Sequence, residues 1–355
     1  MALLNSMNTA FSAMDGFKKG FDVVSNNISN VNSIAFKGSK MKFLPSFSTI
    51  LQRSVPESET SNSNQVSMQI GNGIDVGGTP INFAQGALES TESETDLAIV
   101  GNGFFKVTDR VSNTTYLTRA GNFRKDNNNN IVTYLQGYHL QGLQFDSTHM
   151  PAFKVDYDDE KGLQFTALTV NQDKNAPEIG DIRVEFGYKQ EDMINYQDGM
   201  EITGGKLYKT ESVKQAITGG KIKDDVILSQ APSISAFSIS DVGEVYYTFN
   251  DDNSTKVKGG TILLTNVRDP QSLIHEGDGL YSGLDSAGMF EFDGEHSGAG
   301  KNGIGYLRSK TLEMSNVDLT KEFSETITLQ RGFQAAARII TVSDEILTEV
   351  VNLKR

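Results

Sequence analysis

Two long amphipathic helical patterns lie at opposite ends of this chain, at residues 3–32 and 317–353, with about 280 residues of strand-and-turn sequence between them. In each pattern apolar residues recur at steps of three, four and seven, which places them along one face of a helix. Each helix would be roughly 45 Å long, which corresponds to about 30 residues. Helices of globular proteins usually have only about 11 or 12 residues. We therefore expect the two segments to pack on each other, on copies of themselves, or both.

The residues on these two faces are the candidate contact residues of the chain. In the first segment they are Leu4, Met7, Phe11, Met14, Phe21, Val24 and Ile28. In the last segment they are Phe323, Ile327, Phe333, Ile340 and Leu347. The spacing predicts that both faces need an apolar partner along their length.

Length and composition favour several domains with a mainly β middle. A chain of 355 residues is too long for one ordinary core, and 34 glycines with 37% hydrophobic residues fit a turn-rich folded protein. Short alternating apolar runs separated by Gly-Asn and Asp-Asn turns continue from residue 71. We expect an α+β, mainly β fold in which the long terminal helices form a coiled-coil end domain and nested β domains lie between them.

Shifts in composition divide the chain into nested parts. Residues 53–69 have almost no apolar content, and residues 146–209 are acidic. The predicted parts are a terminal helical domain at 1–32 and 317–355, a connector at 33–70, a first β domain at 71–145 and 232–316, and an inserted β domain at 146–231. Ser315 and Asp318 have the spacing of a capping box at the start of the last helix.

The charge and the residue types exclude several classes of protein. A net charge of -13 and a pI near 4.8 argue against nucleic acid as a partner, because phosphate binding requires clustered Lys and Arg. The chain has no Cys, and no run of 18 apolar residues predicts a membrane span. The N-terminus lacks the basic and apolar regions of a secretory signal, so export would use a route without a cleaved signal.

The sequence predicts no enzyme active site. The four histidines are scattered without metal-ligand spacing, and no Gly-x-Ser-x-Gly elbow is present. The segment 71–77 resembles a dinucleotide fingerprint, but no helical pattern follows it. Residues 126–130 fit a hairpin tip better than a calcium loop. We expect no catalytic residue, no cofactor and no metal site.

Three blocks of the sequence resemble the bacterial flagellar rod and hook protein family. The first lies within residues 25–37 and carries the motif residues Asn26, Asn27, Asn30, Asn32, Phe36 and Lys37. The last block carries Ser315, Asn316, Val317, Asp318, Gln330 and Arg331. A third block at residues 96–123 contains Asp-Leu-Ala-Ile and Thr-Arg-Ala-Gly-Asn-Phe. Ala35 stands where the family has Gly, a residue that can serve there for positive φ or for close packing.

The resemblance implies a self-assembling structural protein. In that family the terminal helices form the inner wall of a tube around the export channel, and β domains project outward. The length of the chain and its last residues, 350–355, favour the hook branch of the family. The resemblance then implies a polymer that is a flexible universal joint and transmits torque from the basal-body rod to the filament in swimming motility. A distal rod protein of the same family, or a secreted β-rich adhesin or enzyme, is the alternative.

The same resemblance implies partners and a location. The main partner would be the protein itself, as a helical tubular homo-oligomer of many copies. Further implied partners are the distal rod, the hook cap, the hook–filament junction proteins and the flagellar type III export apparatus. The implied location is the extracellular flagellum, in the hook attached to the basal body.

Overall fold

The computed structural model describes residues 2–54, 66–144, 152–158, 162–168, 178–182, 200–202, 205–209, 234–249, 256–290 and 297–353. This part of the chain is mainly β and carries a long helix at each end. The helices are α1 (Ala2–Ser29), the short α2 (Leu284–Ala287) and α3 (Leu319–Leu353), with a single 3₁₀ turn at Pro270–Ser272. No helix in these ranges combines the length and the hydropathy needed to span a lipid bilayer.

The first compact unit is made from both ends of the chain, Met1–Gly86 and Ser315–Arg355. Besides α1 and α3, the described residues of this unit form four strands: β1 (Lys42–Pro45), β2 (Ser48–Gln52), β3 (Met68–Gly71) and β4 (Ile74–Gly78). β1 pairs antiparallel with β4, and β2 pairs antiparallel with β3. Backbone hydrogen bonds from Ser46 N to Gly73 O (2.9 Å) and from Asn72 N to Phe47 O (3.2 Å) join the two pairs. We call the resulting two-stranded structure the ribbon.

The ribbon corrects the predicted connector and the predicted start of the first β domain. β1 and β2 lie inside the predicted connector at 33–70 and pair with strands on both sides of residue 70. Residues 71–86 belong to the unit of the terminal helices, not to the first β domain. The reason is that a short alternating run indicates a strand but carries no information about which strand it pairs with.

The second compact unit is Ala87–Met314. Its strands are β5 (Leu88–Ser90), β6 (Leu97–Val100), β7 (Phe104–Thr108), β8 (Thr115–Thr118), β9 (Phe123–Lys125), β10 (Ile131–Thr133), β11 (His139–Gln144), β12 (Ala152–Asp158), β13 (Gly162–Leu168), β14 (Glu178–Asp181), β15 (Met200–Ile202), β16 (Gly205–Lys209), β17 (Ile234–Ile239), β18 (Glu244–Phe249), β19 (Lys256–Ile262), β20 (Leu264–Thr265), β21 (Ile274–Gly277), β22 (Leu280–Ser282), β23 (Tyr306–Ser309) and β24 (Thr311–Glu313).

The main sheet of this unit has the strand order β17-β18-β19-β11-β7-β8-β22-β21, with β9, β10, β14 and β20 attached beside this path. β23 pairs with β6, and β24 pairs with β5, so the chain returns to the start of the unit before α3. The core is buried and apolar, and Phe105, Leu117, Tyr247 and Ile262 are among its largest fully buried side chains. The predicted hairpin around residues 126–130 is present, because β9 pairs with β10.

Within the predicted insertion at 146–231, four strands form a sheet of their own in the order β13-β12-β16-β15. β14 is an exception, because Gln141 to Gln144 of β11 pair with it. The segment Glu178–Asp181 is therefore a strand of the main sheet. A separate inserted domain, the nesting of three domains and a coiled coil remain predictions.

Candidate assembly surface on the terminal helices

α1 and α3 pack against each other in antiparallel orientation. The side chain of Asn27 near the end of α1 donates a hydrogen bond from Nδ2 to Glu322 Oε2 near the start of α3 (3.1 Å). Gly20 lies earlier in α1 than Asn27, and Leu329 lies later in α3 than Glu322. A Cβ added to Gly20 would be 3.0 Å from Leu329 Cδ2. Residue numbers at the contact therefore decrease along α1 as they increase along α3, as expected for an antiparallel pair.

Small residues make this close packing possible. Gly20 of α1 is buried beside Leu329, and the buried residues of α3 are Leu329, Ala336 and Ser343. The three buried residues of α3 are seven positions apart, the period of helices that share a long seam. The sequence analysis missed this seam because it weighted large apolar side chains. The heptad spacing of the three buried residues of α3 was the available signal.

The candidate contact residues occupy three kinds of position. Val24 is buried, whereas Phe11, Phe323 and Ile327 are 51%, 54% and 58% exposed. The half-buried ones are Met7, Met14, Phe21, Ile28, Phe333, Ile340 and Leu347. The side chain of Leu4 lies outside the described residues. Only part of the predicted apolar face is therefore used within one chain.

Two rows of exposed apolar side chains remain on α3. The first row is Leu319, Phe323 and Ile327, and the second row is Ile339, Val342, Ile346 and Val350. With 3.6 residues per turn, the two rows point in directions roughly 140° apart around the helix axis. By the same geometry the first row lies roughly 140° and the second row roughly 75° around the axis from the seam that contacts α1. α3 thus has three apolar faces, of which one is covered within its own chain.

Asn27 fixes the turn that follows α1. It is 2% exposed and uses both ends of its amide. Nδ2 donates to Ser39 O (2.8 Å) in addition to Glu322, while Oδ1 accepts from Ser39 N (3.1 Å). A buried side-chain amide that makes three hydrogen bonds fits only one arrangement of its partners. This motif residue therefore positions the helices and stays out of the exposed surface.

Ala35 adopts the left-handed backbone conformation for which its family position suggested a glycine. Its φ is 55°, and its side chain is almost fully buried. An alanine in this region is strained because its Cβ approaches the following carbonyl oxygen. The turn of the family motif is thus kept here at an energetic cost.

Asn316 connects the chain's C-terminal part to the segment that follows the first motif. Its Oδ1 accepts from Gly38 N (2.9 Å), and its Nδ2 donates to Asn82 O (2.7 Å) and Ala84 O (2.9 Å). The buried Lys37 also donates, from Nζ to Ala84 O (2.9 Å). These motif residues tie together three segments that are distant in sequence.

The remaining motif residues lie at or near the surface. Asn30 donates from Nδ2 to Asn26 O (2.9 Å) and closes the end of α1. The others are exposed or half-buried: Asn32, Phe36, Ser315, Val317, Gln330 and Arg331.

The predicted capping box at Ser315 is wrong. α3 begins at Leu319, and Asp318 Oδ1 accepts from Thr320 N (3.0 Å) and Lys321 N (3.4 Å), which makes Asp318 the N-cap. These hydrogen bonds lower the pKa of the Asp318 carboxyl, and the bond from Lys321 N has the largest effect. The spacing of a capping box was present, but the helix starts three residues later.

A polar cleft of about 200 Å³ lies beside the contact of Asn27 and Glu322. Burial raises the pKa of the Glu322 carboxyl, and the hydrogen bond from Asn27 opposes that effect. In the described ranges, no group of three or more His, Asp or Glu side chains is arranged to hold a metal ion. The cleft therefore offers polar contacts but no ligand chemistry that we can assign.

Two protein-family models match this chain. The model described as "Flagellar basal body rod FlgEFG protein C-terminal" matches residues 308–353, which contain all of α3. The model described as "Flagellar hook protein FlgE/F/G D1 domain" matches residues 98–180 of the second unit.

Curated relatives align along nearly the whole chain. The flagellar basal-body rod protein FlgG of Bacillus subtilis (strain 168) is 32% identical over 359 aligned residues, covering 99% of this chain and 100% of the relative. The flagellar hook protein FlgE of Borreliella burgdorferi is 26% identical over 451 aligned residues, with 99% and 100% covered. The hook protein FlgE of Escherichia coli (strain K12) is 23% identical over 428 aligned residues, with 98% and 100% covered.

A solved structure is also similar to part of the chain. The Helicobacter pylori flagellar hook protein FlgE2 covers 64% of this chain and 100% of its own, with 12% identity and a TM-score of 0.35.

Proposed function

This chain belongs to the family of flagellar rod and hook proteins, and from that premise we propose that it is a structural subunit of the flagellar hook. In this proposal it assembles into a flexible tube, a universal joint that transmits torque from the basal-body rod to the filament. The proposed location is the extracellular hook, which the subunit reaches by export without a cleaved signal.

The observation that carries self-assembly is the state of α3 after it has packed on α1. Two apolar rows remain exposed and point in different directions, so no single neighbour covers both. An interface that joins different faces of identical subunits produces a ring if its rotation closes and an open helical assembly if it does not. The terminal helices of this chain are therefore proposed to contact at least two further copies.

The hook branch is favoured by the additional sheet formed by β12, β13, β15 and β16. This sheet fits the large middle insertion expected of a hook subunit. The distal rod is the second candidate, because the relative with 32% identity is a rod protein, whereas the hook proteins cited above are 26% and 23% identical. Both candidates are structural proteins, as are the relatives, and neither requires a catalytic residue. The rod, hook cap, junction proteins and export apparatus are the proposed partners.

Ile327→Asp tests self-assembly through α3. Ile327 is 58% exposed, so the carboxylate meets water in the monomer and disturbs only an intermolecular contact. Phe21 and Ile340 are half-buried, and substitution there would also weaken the pairing of α1 with α3. We expect sedimentation and electron microscopy to show no tubes of Ile327→Asp, while circular dichroism keeps the helical signal of the native chain. Ile274→Asp is the matched control, because this isoleucine of β21 is also 58% exposed. Normal tubes from Ile327→Asp would contradict the proposal.

Electron microscopy of the native polymer separates the candidates. A curved, supercoiled tube is the expected result for a hook subunit, whereas a straight rod would assign the chain to the distal rod. Cells that lack the protein should lose filaments and swimming. If they swim normally and the purified chain forms no polymer, a secreted β-rich adhesin or enzyme becomes the better interpretation. A screen of carbohydrate and peptide ligands would then test it.

A further inference from the structure

Three Asn-Gly pairs occur in this chain, at residues 72–73, 102–103 and 302–303. Asparagine followed by glycine readily loses its side-chain amide without an enzyme, because glycine has no Cβ to keep its backbone nitrogen away from the asparagine side chain. The nitrogen can attack only if the peptide that joins the two residues can rotate. The surroundings of each glycine therefore decide which of the three pairs reacts in the folded protein.

The first pair is held by the ribbon and by α1. The Asn72 side chain donates from Nδ2 to Thr49 Oγ1 (3.2 Å), and Gly73 O accepts from Ser46 N (2.9 Å). A Cβ placed on Gly73 would clash with Ser12 Oγ of α1. Rotation of this peptide would break hydrogen bonds on both sides of it and push into a helix. The fold therefore protects this pair.

The second pair is exposed on one side only. Asn102 is exposed, but Gly103 is buried, and a Cβ on Gly103 would lie 3.2 Å from Ile304 Cγ2. Asn102 O also accepts a hydrogen bond from Gly305 N (2.7 Å). That carbonyl belongs to the peptide that would have to rotate, so the hydrogen bond holds it in place. The fold protects this pair as well.

The third pair lies in an exposed turn. Asn302 and Gly303 have φ values of 48° and 77°, and Ile304 N donates to Lys301 O (2.8 Å), which is the pattern of a two-residue type I′ turn. Both residues of the pair are exposed. Apart from its chain neighbours, a Cβ on Gly303 would meet no atom within 4 Å in the described part of the chain. An exposed turn opens at a lower free energy than a strand pair or a packed core.

We propose that Asn302 is a site of spontaneous covalent modification, at which its side-chain amide is converted to aspartate and isoaspartate. Gly303 N forms a bond to Asn302 Cγ, while the bond from Cγ to Nδ2 breaks. Nδ2 leaves as ammonia with the proton of the Gly303 N–H, and a cyclic imide remains. Water then opens the imide. Attack at Cγ gives aspartate, and attack at the backbone carbonyl carbon gives isoaspartate, whose main chain runs through Cβ and Cγ.

Isoaspartate at this position would disturb the core of the second unit. It adds one carbon atom to the main chain inside a two-residue turn, so the hydrogen bond from Ile304 N to Lys301 O can no longer close with the same geometry. Ile304 is a core residue and is 6% exposed, and Gly305 beside it holds Asn102 O. We expect the extra atom to displace both and to lower the stability of the unit. Aspartate leaves the main chain unchanged and adds one negative charge at an exposed position.

Incubation of the purified chain in warm, mildly alkaline buffer tests the site. Peptide mapping by mass spectrometry follows the conversion of Asn72, Asn102 and Asn302 in the same molecules. We expect Asn302 to convert at least about tenfold faster than the other two, equivalent to about 1.4 kcal/mol in activation free energy. The chain unfolded in urea is the control, because there the three pairs lose their folded surroundings and should convert at similar rates.

Conversion of Asn72 or Asn102 as fast as that of Asn302 in the folded chain would overturn the proposal. So would an intact Asn302 after the time in which the chain in urea has reacted. The same preference for Asn302 in urea would also overturn it, because the selection would then come from the sequence and not from the fold. The modification requires no assembly, so each of these outcomes leaves the proposed function standing.

A second measurement addresses the effect on the core. Isoaspartate in the aged chain is identified by enzymatic methylation of its free α-carboxylate, and the modified fraction is isolated by chromatography. Freshly prepared Asn302→Asp is the matched control, because it carries the same charge in an unaltered main chain. We expect the isoaspartate fraction to melt below both the native chain and Asn302→Asp. Equal melting temperatures would contradict the predicted displacement of Ile304.

Discussion

Gly332 of α3 lies directly against the ring of Phe17 of α1. A Cβ placed on Gly332 would come within 2.7 Å of Phe17 Cζ, a separation at which one of the two groups has to move. The absence of a side chain at position 332 therefore allows the two terminal helices to approach at this point. The first prediction tests this contact.

We expect Gly332→Val to destabilise the helix pair by about 1–3 kcal/mol, because overpacking displaces side chains and backbone. Urea unfolding followed by circular dichroism at 222 nm measures the effect, since α1 and α3 dominate that signal. Gly71→Val is the control, because a Cβ on Gly71 meets nothing within 4 Å. Equal unfolding midpoints for the two variants would contradict the close contact.

Ala35→Gly should stabilise the protein. Ala35 has a φ of 55°, and the left-handed region costs an alanine about 1–2 kcal/mol that a glycine avoids. Glycine also has more conformational freedom in the unfolded chain, and this offsets about 0.4–1 kcal/mol of the stabilisation. We expect a net increase of a few tenths to about 1 kcal/mol in the free energy of unfolding. Ala35→Val, which adds a β-branched side chain at a buried position, should have the opposite sign.

Asn27→Asp should make stability depend on pH. The new carboxylate would face Glu322 Oε2, which accepts a hydrogen bond from Asn27 Nδ2 at 3.1 Å in the native chain. The pKa of Glu322 is already raised by burial, and a like charge raises it further in the folded state. A group with a raised folded-state pKa favours folding most below its unfolded pKa, and that contribution is lost as pH rises through the folded value.

The variant should therefore be least stable near pH 7 and gain stability as the pH falls toward about 4. Urea midpoints measured across this range check the prediction. Asn27→Ala removes the same hydrogen bonds without adding a charge, so its loss of stability should change much less with pH. Parallel pH profiles for the two variants would be evidence against repulsion between the carboxylates.

Arg119 and Glu313 form a buried ion pair in the second unit, with 3.4 Å between Arg119 Nη1 and Glu313 Oε2. Arg119→Met leaves the Glu313 carboxylate buried without its cation, so we expect a loss of about 3–5 kcal/mol. Adding Glu313→Met should recover most of that loss, because two apolar side chains of similar size replace the pair. Urea unfolding of both variants is the measurement. A double variant no more stable than the single one would mean that the loss comes from packing.

Tyr281 should make the second unit sensitive to alkali. Burial raises the pKa of its phenol to about 12, above the ordinary value of 10.0. Between about pH 10 and 12 the unfolded chain loses the phenolic proton and the folded chain keeps it, so stability falls as pH rises. A tenfold difference in proton affinity is worth about 1.4 kcal/mol, so we expect Tyr281→Phe to lose roughly 2 kcal/mol less than the native chain across this window. Identical alkaline profiles would show that the phenol titrates normally.

Local patterns in the sequence were enough to identify the two long helices and the mainly β character of the chain between them. The apolar period of 3.6 residues marked α1 and α3 to within a few residues, and the family's glycine at position 35 offered positive φ as one of two explanations, the one that the fold shows. Both features depend on neighbouring residues, which is the information that periodicity and local backbone preferences contain. The family also followed from the sequence, because its motifs are contiguous stretches at both ends.

The tertiary structure decided which apolar residues are covered and which remain exposed. Leu329 and Ile327 are both apolar residues of α3, yet Leu329 packs against Gly20 and Ile327 faces solvent. The ribbon was decided in the same way, because Ile70 pairs with Thr49 across a segment whose composition predicts only a connector. The physical reason is that burial and strand pairing depend on contacts between distant segments. A sequence by itself shows that a face is apolar, and only the fold shows what lies against it.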